Sequence, residues 1–360
     1  MRKKDREVLA VHRSIGVFLM IVLSMSLVTC TEVIDLRIGE SNQELVIFGR
    51  VTDGTAGNEV EIAFTSTASG EQEPVSGARV SLMEDGQLLG TYTERSPGFY
   101  RLELPNDSAR TGRTYHLEVA IGTNTYRSTA AVMPDLAAVD STYIRQGITE
   151  VVVNEAGISV ERKLIEFVTD TEIVDPDRDY FLKWHLVEAY GYQERIRITP
   201  LPRPPCFITN DITGQEVALF DGSSLKVPRI QGQVMSRTEI DTRFAFDYYM
   251  TVVQTTVDQS TYDYWNELNL VSNRQGSIFD PPPAPVAGNI ANVNDPDEVV
   301  LGYFEVARSD TTRVRIRNTD LTFRVFLPCP AAEASREPTS CINCLLIENS
   351  TYHRPYYWFD

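Results

Sequence analysis

The sequence predicts a mainly β protein, with an N-terminal Ig-like β-sandwich followed by a larger β-rich domain carrying one short helix. Three observations lead there. Residues 44–134 break into short runs of alternating polarity separated by turn residues. The later chain holds longer β-branched and aromatic runs, such as Phe244 to Val257. One segment, opening at Ser260, has helical spacing. At 360 residues the chain fits one large or two ordinary domains of about 100–200 residues each. Hydrophobic residues at 42% and charged residues at 23% are globular values, which excludes wholesale disorder.

In the first unit, Leu45 to Phe48 open a strand and Asp53-Gly54 turn the chain. Val60, Ile62 and Phe64 then alternate with Glu59, Glu61 and Ala63, and Ala78, Val80 and Leu82 form the next inward set. Asp85-Gly86 is a two-residue hairpin signal, because its Gly takes positive φ without strain. Leu88 to Tyr92, Phe99 to Leu104, Tyr115 to Ile121 and Tyr126 to Val132 complete the unit, and Pro134 closes it. Beyond it, Glu150 to Val153, Ser159 to Val168, Tyr180 to Tyr190, Glu194 to Thr199, Val299 to Ala307 and Arg313 to Arg317 read as strands. Ser260 caps the helix with Asp263 in a capping box, and Tyr262, Trp265 and Leu268 share a face before Gly276 ends it.

The amino terminus reads as an address. A basic leader with Arg2, Lys3, Lys4 and Arg6 precedes an apolar run, Ile15 to Val28. That run is short of the ~20 residues needed for a spanning helix and fits a secretory signal. Leu27-Val28-Thr29-Cys30 resembles a bacterial lipobox, which implies residues 1–29 as a lipoprotein signal peptide, lipid on Cys30 and a lipidated linker over 30–43. Several acyl chains make a stable anchor where one is marginal. Glu32 and Asp35 close behind resemble a surface-export signal. The expected location is the outer membrane, lipid-anchored, with exposure at the cell surface favoured over the periplasmic leaflet as the alternative. Lys and Arg total 33 against 50 Asp and Glu, a net charge of −17, so nucleic acid is not an expected partner.

Four cysteines remain: Cys206, Cys329, Cys341 and Cys344. An even number in an oxidising compartment predicts disulfides, and three pairings are open. Cys341 and Cys344 form a CxxC, so a structural zinc site with Cys206 and Cys329, or a redox dithiol, are the alternatives.

Two resemblances add to this. Val75 to Val80 with Pro97-Gly98-Phe99-Tyr100 resembles the regulatory-like sandwich of carboxypeptidases, an adapter without activity of its own. Tyr262 to Leu268, Phe279-Asp280-Pro281, Gly288-Asn289-Ile290 and Val300-Leu301-Gly302-Tyr303-Phe304 resemble domain of unknown function family 4249, lipoproteins of Bacteroidota. That resemblance implies a family-specific domain over 135–347, an aromatic tail over 348–360, and an association with TonB-dependent receptors.

Few residues carry candidate chemistry. Asp175, Asp177 and Asp179 mimic the start of a calcium loop, yet Tyr180 and Leu186 stand where an EF-hand requires Gly and Glu, so any calcium site is of a looser type. Arg313, Arg315 and Arg317 alternate and so line one strand face, where they would hold a carboxylate or phosphate. No cofactor is expected. The resulting expectation is a non-enzymatic lipoprotein that binds a ligand or a partner and is accessory to a TonB-dependent receptor. An envelope hydrolase with a carboxylate-based site and a structural scaffold are the alternatives.

Overall fold

Alternating polarity becomes sheet wherever one face of a strand has a core to enter. A computed structural model describes residues 43–358, apart from 55–56, 66–71, 106–108, 155, 195–203, 213–216, 274–284, 327–328 and 330–338. The lipidation candidate Cys30, the signal and linker segments, Gly276 and the strand expected over Glu194 to Thr199, from residue 195 on, lie outside the described residues.

The first stretch carries β1 (Leu45–Thr52), β2 (Glu59–Phe64), β3 (Glu73–Pro74), β4 (Arg79–Glu84) and β5 (Gln87–Thr91). It continues with β6 (Thr93–Ser96), β7 (Phe99–Arg101), β8 (Thr114–Ile121), β9 (Asn124–Ser128) and β10 (Ala131–Val132). Then come β11 (Ala137–Val153), β12 (Ser159–Ile173), β13 (Phe181–Tyr192), β14 (Cys206–Asp211), β15 (Ala218–Asp221), β16 (Arg229–Glu239) and β17 (Tyr248–Val257). Helix α1 (Gln259–Ser272) precedes β18 (Ile290–Asn292), β19 (Val300–Leu301), β20 (Phe304–Ile316) and β21 (Ser350–Thr351). The protein is mainly β and sandwich-like, as expected.

The strands form three sheets. The largest runs β21-β14-β13-β17-β20-β1-β2-β7-β6, the second runs β18-β9-β8-β4-β5, and the third is β11-β12-β16. Two cores result. Ile47 and Val60 from the large sheet meet Leu82 and Leu117 from the second. Leu182, Tyr248 and Met250 from the large sheet meet Ile165 and Phe167 from the third. Each such side chain contributes roughly 1.5–3 kcal/mol by burial.

The cores divide near residue 134, where Met133 belongs to the first and Ala137 to the second. The first core also takes Ile290, Val300, Phe304 and Val306 from late in the chain. The sequence-based division at 134/135 placed those residues in the other unit. The reason is β20, which pairs in parallel with β1 through Gly49↔Phe304 to Thr52↔Ala307 and antiparallel with β17 through Thr256↔Arg308 to Tyr248↔Ile316. One sheet therefore serves both cores, and residues 43–360 form one compact unit. The late strands expected as Val299 to Ala307 and Arg313 to Arg317 are β19 and one continuous β20, which ends at Ile316.

The family motifs acquire physical reasons here. A Cβ on Gly302 would stand 2.1 Å from the Ile47 carbonyl oxygen, and φ there is +94°. A Cβ on Gly288 would stand 1.9 Å from the Gly302 carbonyl oxygen. Asn289 then pairs both backbone groups of Phe304, accepting from its N–H at 2.8 Å and donating to its carbonyl at 2.9 Å. The Gly-Asn-Ile and Val-Leu-Gly-Tyr-Phe segments thus dock the late chain onto β1. The helix differs from expectation at its start. Its cap is Asp258, whose side chain accepts from Thr261 N–H at 2.8 Å, because β17 ends at Val257 and the next residue must leave the sheet. Tyr264 is its buried aromatic, while Tyr262, Trp265 and Leu268 are half-buried.

The cysteines form two disulfides, Cys206–Cys344 and Cys329–Cys341. The CxxC cysteines therefore have different partners, and neither the zinc alternative nor the dithiol alternative is realised. Both bridges close the second core beside Tyr192, whose hydroxyl lies 3.0 Å from Ser340 Oγ.

Gly302→Ala is expected to lower stability by about 3 kcal/mol or more, since a clash adds to backbone strain. Gly86→Ala, where an added Cβ meets nothing within 4 Å, is expected to cost less than half as much; urea denaturation of both variants checks the order. The Cys206–Cys344 bridge spans 138 residues and Cys329–Cys341 spans 12. Chain entropy then makes the first worth about 2 kcal/mol more than the second. Replacing each pair by Ser in turn should show that difference in denaturation midpoints.

Candidate functional site

The clearest convergence of charge, aromatic surface and space lies on the face of the large sheet that carries α1. Strand alternation builds it. On β1, Leu45, Ile47 and Val51 enter the first core, so Phe48 and Arg50 point the other way. On β2, Val60 and Ile62 enter the core, which leaves Glu59 and Glu61 beside them. On β20, Phe304 and Val306 face inward and Glu305 outward, and on β13 Leu182 and Trp184 face the second core while Lys183 looks toward α1. The register then sets a row of alternating charge across four strands: Glu305 beside Arg50, Arg50 opposite Glu59, Glu59 opposite Arg101.

Helix α1 roofs one end of this row. Tyr264 stacks on Tyr303 with ring centroids 4.5 Å apart, and Trp265 stacks on Phe48 at 6.4 Å. Trp265 Nε1 donates to Glu305 Oε2 at 3.0 Å. Lys183 forms an ion pair with the same oxygen and sits 4.6 Å from the centre of the Trp265 ring, a cation–π contact. Side-chain exposure is 12% for Lys183 and 4% for Glu305. Between these groups and Phe99 lies a half-open cleft of about 250 Å³.

The electrostatics of the pair are set by burial. Burial pushes the Lys183 ammonium below its ordinary range, and the Glu305 charge beside it restores only part of that. Burial alone would raise the Glu305 carboxyl. The Lys183 ammonium, the Arg50 guanidinium and the Trp265 N–H more than reverse this, so it is held below its ordinary 4.5 and stays ionised. Its Oε1 is buried without a hydrogen-bond partner among the described residues. Elsewhere among the described residues the buried charged groups have partners. Glu188 accepts from Asn210 at 2.9 Å and from both Arg243 and Tyr248 at 2.8 Å. Gln254 likewise bonds Thr171, Trp184 and the Ala137 carbonyl. Among the described residues the other buried polar atoms without a partner are hydroxyls, of Tyr92, Tyr180 and Ser350, so Glu305 is the charged group with capacity left over.

The site residues expected from sequence do not converge on it. Asp175 pairs with Arg178 and accepts from Asp177 N–H, while Asp179 pairs with Lys226, so the carboxylates of Asp175 and Asp179 point to different partners. Among the described residues no group of His, Cys, Asp and Glu is placed to hold a metal. Asp175 forms an Asx turn flanked by ion pairs. The arginines are also engaged. Arg313 donates to Thr251 Oγ1 at 2.8 Å and stacks 3.7 Å over the Tyr357 ring, and Arg315 Nε donates to Asp247 at 3.0 Å. Arg317 lies past the end of β20 and bonds Asp320. Acids thus engage Arg315 and Arg317, while Arg313 is held by Thr251 and the Tyr357 ring. The tail divides: Trp358 packs on Phe207 and Tyr249, whereas Tyr356 is 92% exposed.

Sequence reasoning missed Arg50, Glu61, Lys183 and Glu305. A signal was present for two of them, since Lys183 and Glu305 interrupt runs that otherwise read as buried strand. Trp265 lay in a quoted motif, but its neighbours Phe48, Lys183 and Glu305 come from strands far from it in sequence.

A mainly β, sandwich-like chain with two disulfides and a charged cleft on one sheet face is thus the class that fold and site define. The chain belongs to the family described as Domain of unknown function (DUF4249), whose model matches residues 31–313. No curated protein and no solved structure matches it.

Lys183→Met leaves the Glu305 charge buried and uncompensated, and is expected to cost about 3–5 kcal/mol in chemical denaturation. Adding Glu305→Gln should restore most of that loss. Because the folded Glu305 carboxyl lies below its unfolded value, its contribution is present above that value and is lost as pH falls through the folded one. The Glu305→Gln single variant should therefore show a shallower loss of stability on acidification than the parent.

Proposed function

We propose that this protein is a non-enzymatic lipoprotein of the outer membrane, held by lipid at Cys30, which binds a ligand or partner in the service of a TonB-dependent receptor. The observation that carries the binding role is the cleft itself. It is formed by side chains of packed strands and one capped helix, so its groups are held in place before any ligand arrives, which lowers the ordering cost of binding. The direction of the Glu305 pKa shift argues against a general-acid role for that residue. A general acid needs a carboxyl raised toward neutrality, and Glu305 is moved the other way.

The anchoring role is supported by the basic leader, the apolar run from Ile15 to Val28 and the Cys that follows it. The family match beginning at residue 31, directly after Cys30, agrees with a boundary there. The resemblance of residues 75–100 to carboxypeptidase-regulatory-like modules fits an adapter at the front of such a chain.

In cells, labelled palmitate should enter the full-length chain and not its Cys30→Ala variant, and outer-membrane fractions should contain only the former. A tagged, lipidated chain should copurify a TonB-dependent receptor from detergent-solubilised outer membranes. An unlabelled chain recovered from the cytosol would contradict the anchoring role, and purification without a receptor would contradict the accessory role.

A further inference from the structure

The identity of the ligand class follows from two charges left apart in the cleft, and the inference rests on the cleft being the binding site. Arg50 donates from Nε to the Gly57 carbonyl at 3.1 Å. No carboxylate of the described residues forms an ion pair with it, although it has an acidic neighbour on each side in the sheet. Both neighbours are committed. Glu305 is held by Lys183 and Trp265, and Glu59 accepts from Arg101 Nε at 3.1 Å. Arg50 lines the cleft with its guanidinium anchored at Gly57, and that planar fork, suited to a carboxylate, has none among the described residues.

Glu61 is the complementary case. It lines the same cleft, is exposed, and has no hydrogen bond or ion pair among the described residues. In the register it lies diagonal to Arg50, a separation of about 7–8 Å between backbones in an antiparallel pair. It stands directly opposite Phe48 on one side and Phe99 on the other. With Trp265, these rings make the apolar floor. Either charge taken singly makes a poor site. A simple anion on Arg50 would lie beside Glu59 and Glu61, and a simple cation on Glu61 would lie near Arg50 and Lys183. A group bearing both charges is favourable at both ends.

We propose that the cleft binds a free α-amino acid with an apolar or aromatic side chain. The α-carboxylate takes the fork of Arg50, the α-ammonium meets Glu61, and the side chain lies on Phe48, Phe99 and Trp265. The cleft volume of about 250 Å³ lies just below the range of about 300–1,000 Å³ for drug-sized ligand sites and suits a single residue.

The test is isothermal titration of the purified full chain with phenylalanine, N-acetylphenylalanine, phenylalaninamide and a neutral disaccharide. Saturable binding of phenylalanine is expected, with each capped form weaker by about tenfold or more, the loss of one charge-assisted bond. Arg50→Gln should erase the penalty for the amide and leave that for the acetyl form, and Glu61→Gln should do the reverse. Both residues are at least partly exposed, so both variants should fold. Equal binding of the capped and free forms would overturn the proposal. Binding of the disaccharide without phenylalanine would overturn the amino acid as ligand while leaving the cleft as a binding site. No heat from any probe would overturn both.

Discussion

The structure depends on one pairing. Four residues of β1, Gly49 to Thr52, run parallel to Phe304 to Ala307 at the start of β20, so the front of the described chain meets a strand from near its end. Parallel neighbours need a crossover, and here the crossover is most of the protein. The pairing joins the sheets over the two cores into one, and it completes the first core with Phe304 and Val306. The same register places Glu305 beside Arg50 on the opposite face, so core and cleft share one cause. Close approach makes it work: Gly302 lets the backbone pass against Ile47, and Gly49 N–H donates to the Tyr303 carbonyl at 2.9 Å.

Buried charged and amide groups differ in how fully they are satisfied among the described residues. The Glu188 and Gln254 networks use their bonding capacity within the second core and act to fix strand register there. Around Glu305 an ionised carboxylate keeps one oxygen without a partner among the described residues, while Arg50 and Glu61 remain unjoined a short distance away.

Much of the fold was legible because strand alternation is a local signal. Val60 and Ile62, Val80 and Leu82, and the Asp85-Gly86 turn with φ of 47° and 81° follow from neighbours in sequence. The helix was legible as an element, but its cap was misplaced, since Asp258 is chosen by where β17 leaves the sheet. The return of Ile290, Val300 and Phe304 to the first core was not legible, because nothing local marks a late strand as the parallel neighbour of β1. The cleft was hidden for the same reason. Regular arginine spacing and a cluster of aspartates drew attention instead, and four of those charges are engaged, Arg315 and Asp179 by the distant Asp247 and Lys226, Arg317 and Asp175 by Asp320 and Arg178 three residues away. The disulfides were expected as a class, and their pairing was set by the second core bringing Cys206 of β14 to Cys344.

Native-state amide exchange tests the governing pairing most directly. If it holds both cores together, amides of β1 at 49–52 and of β20 at 304–307 should exchange only with global unfolding, at the slowest rate in the chain. Rapid exchange of those two segments while β13 and β17 stay protected would contradict it, since the cores would then be independent and the cleft between them would have no fixed frame.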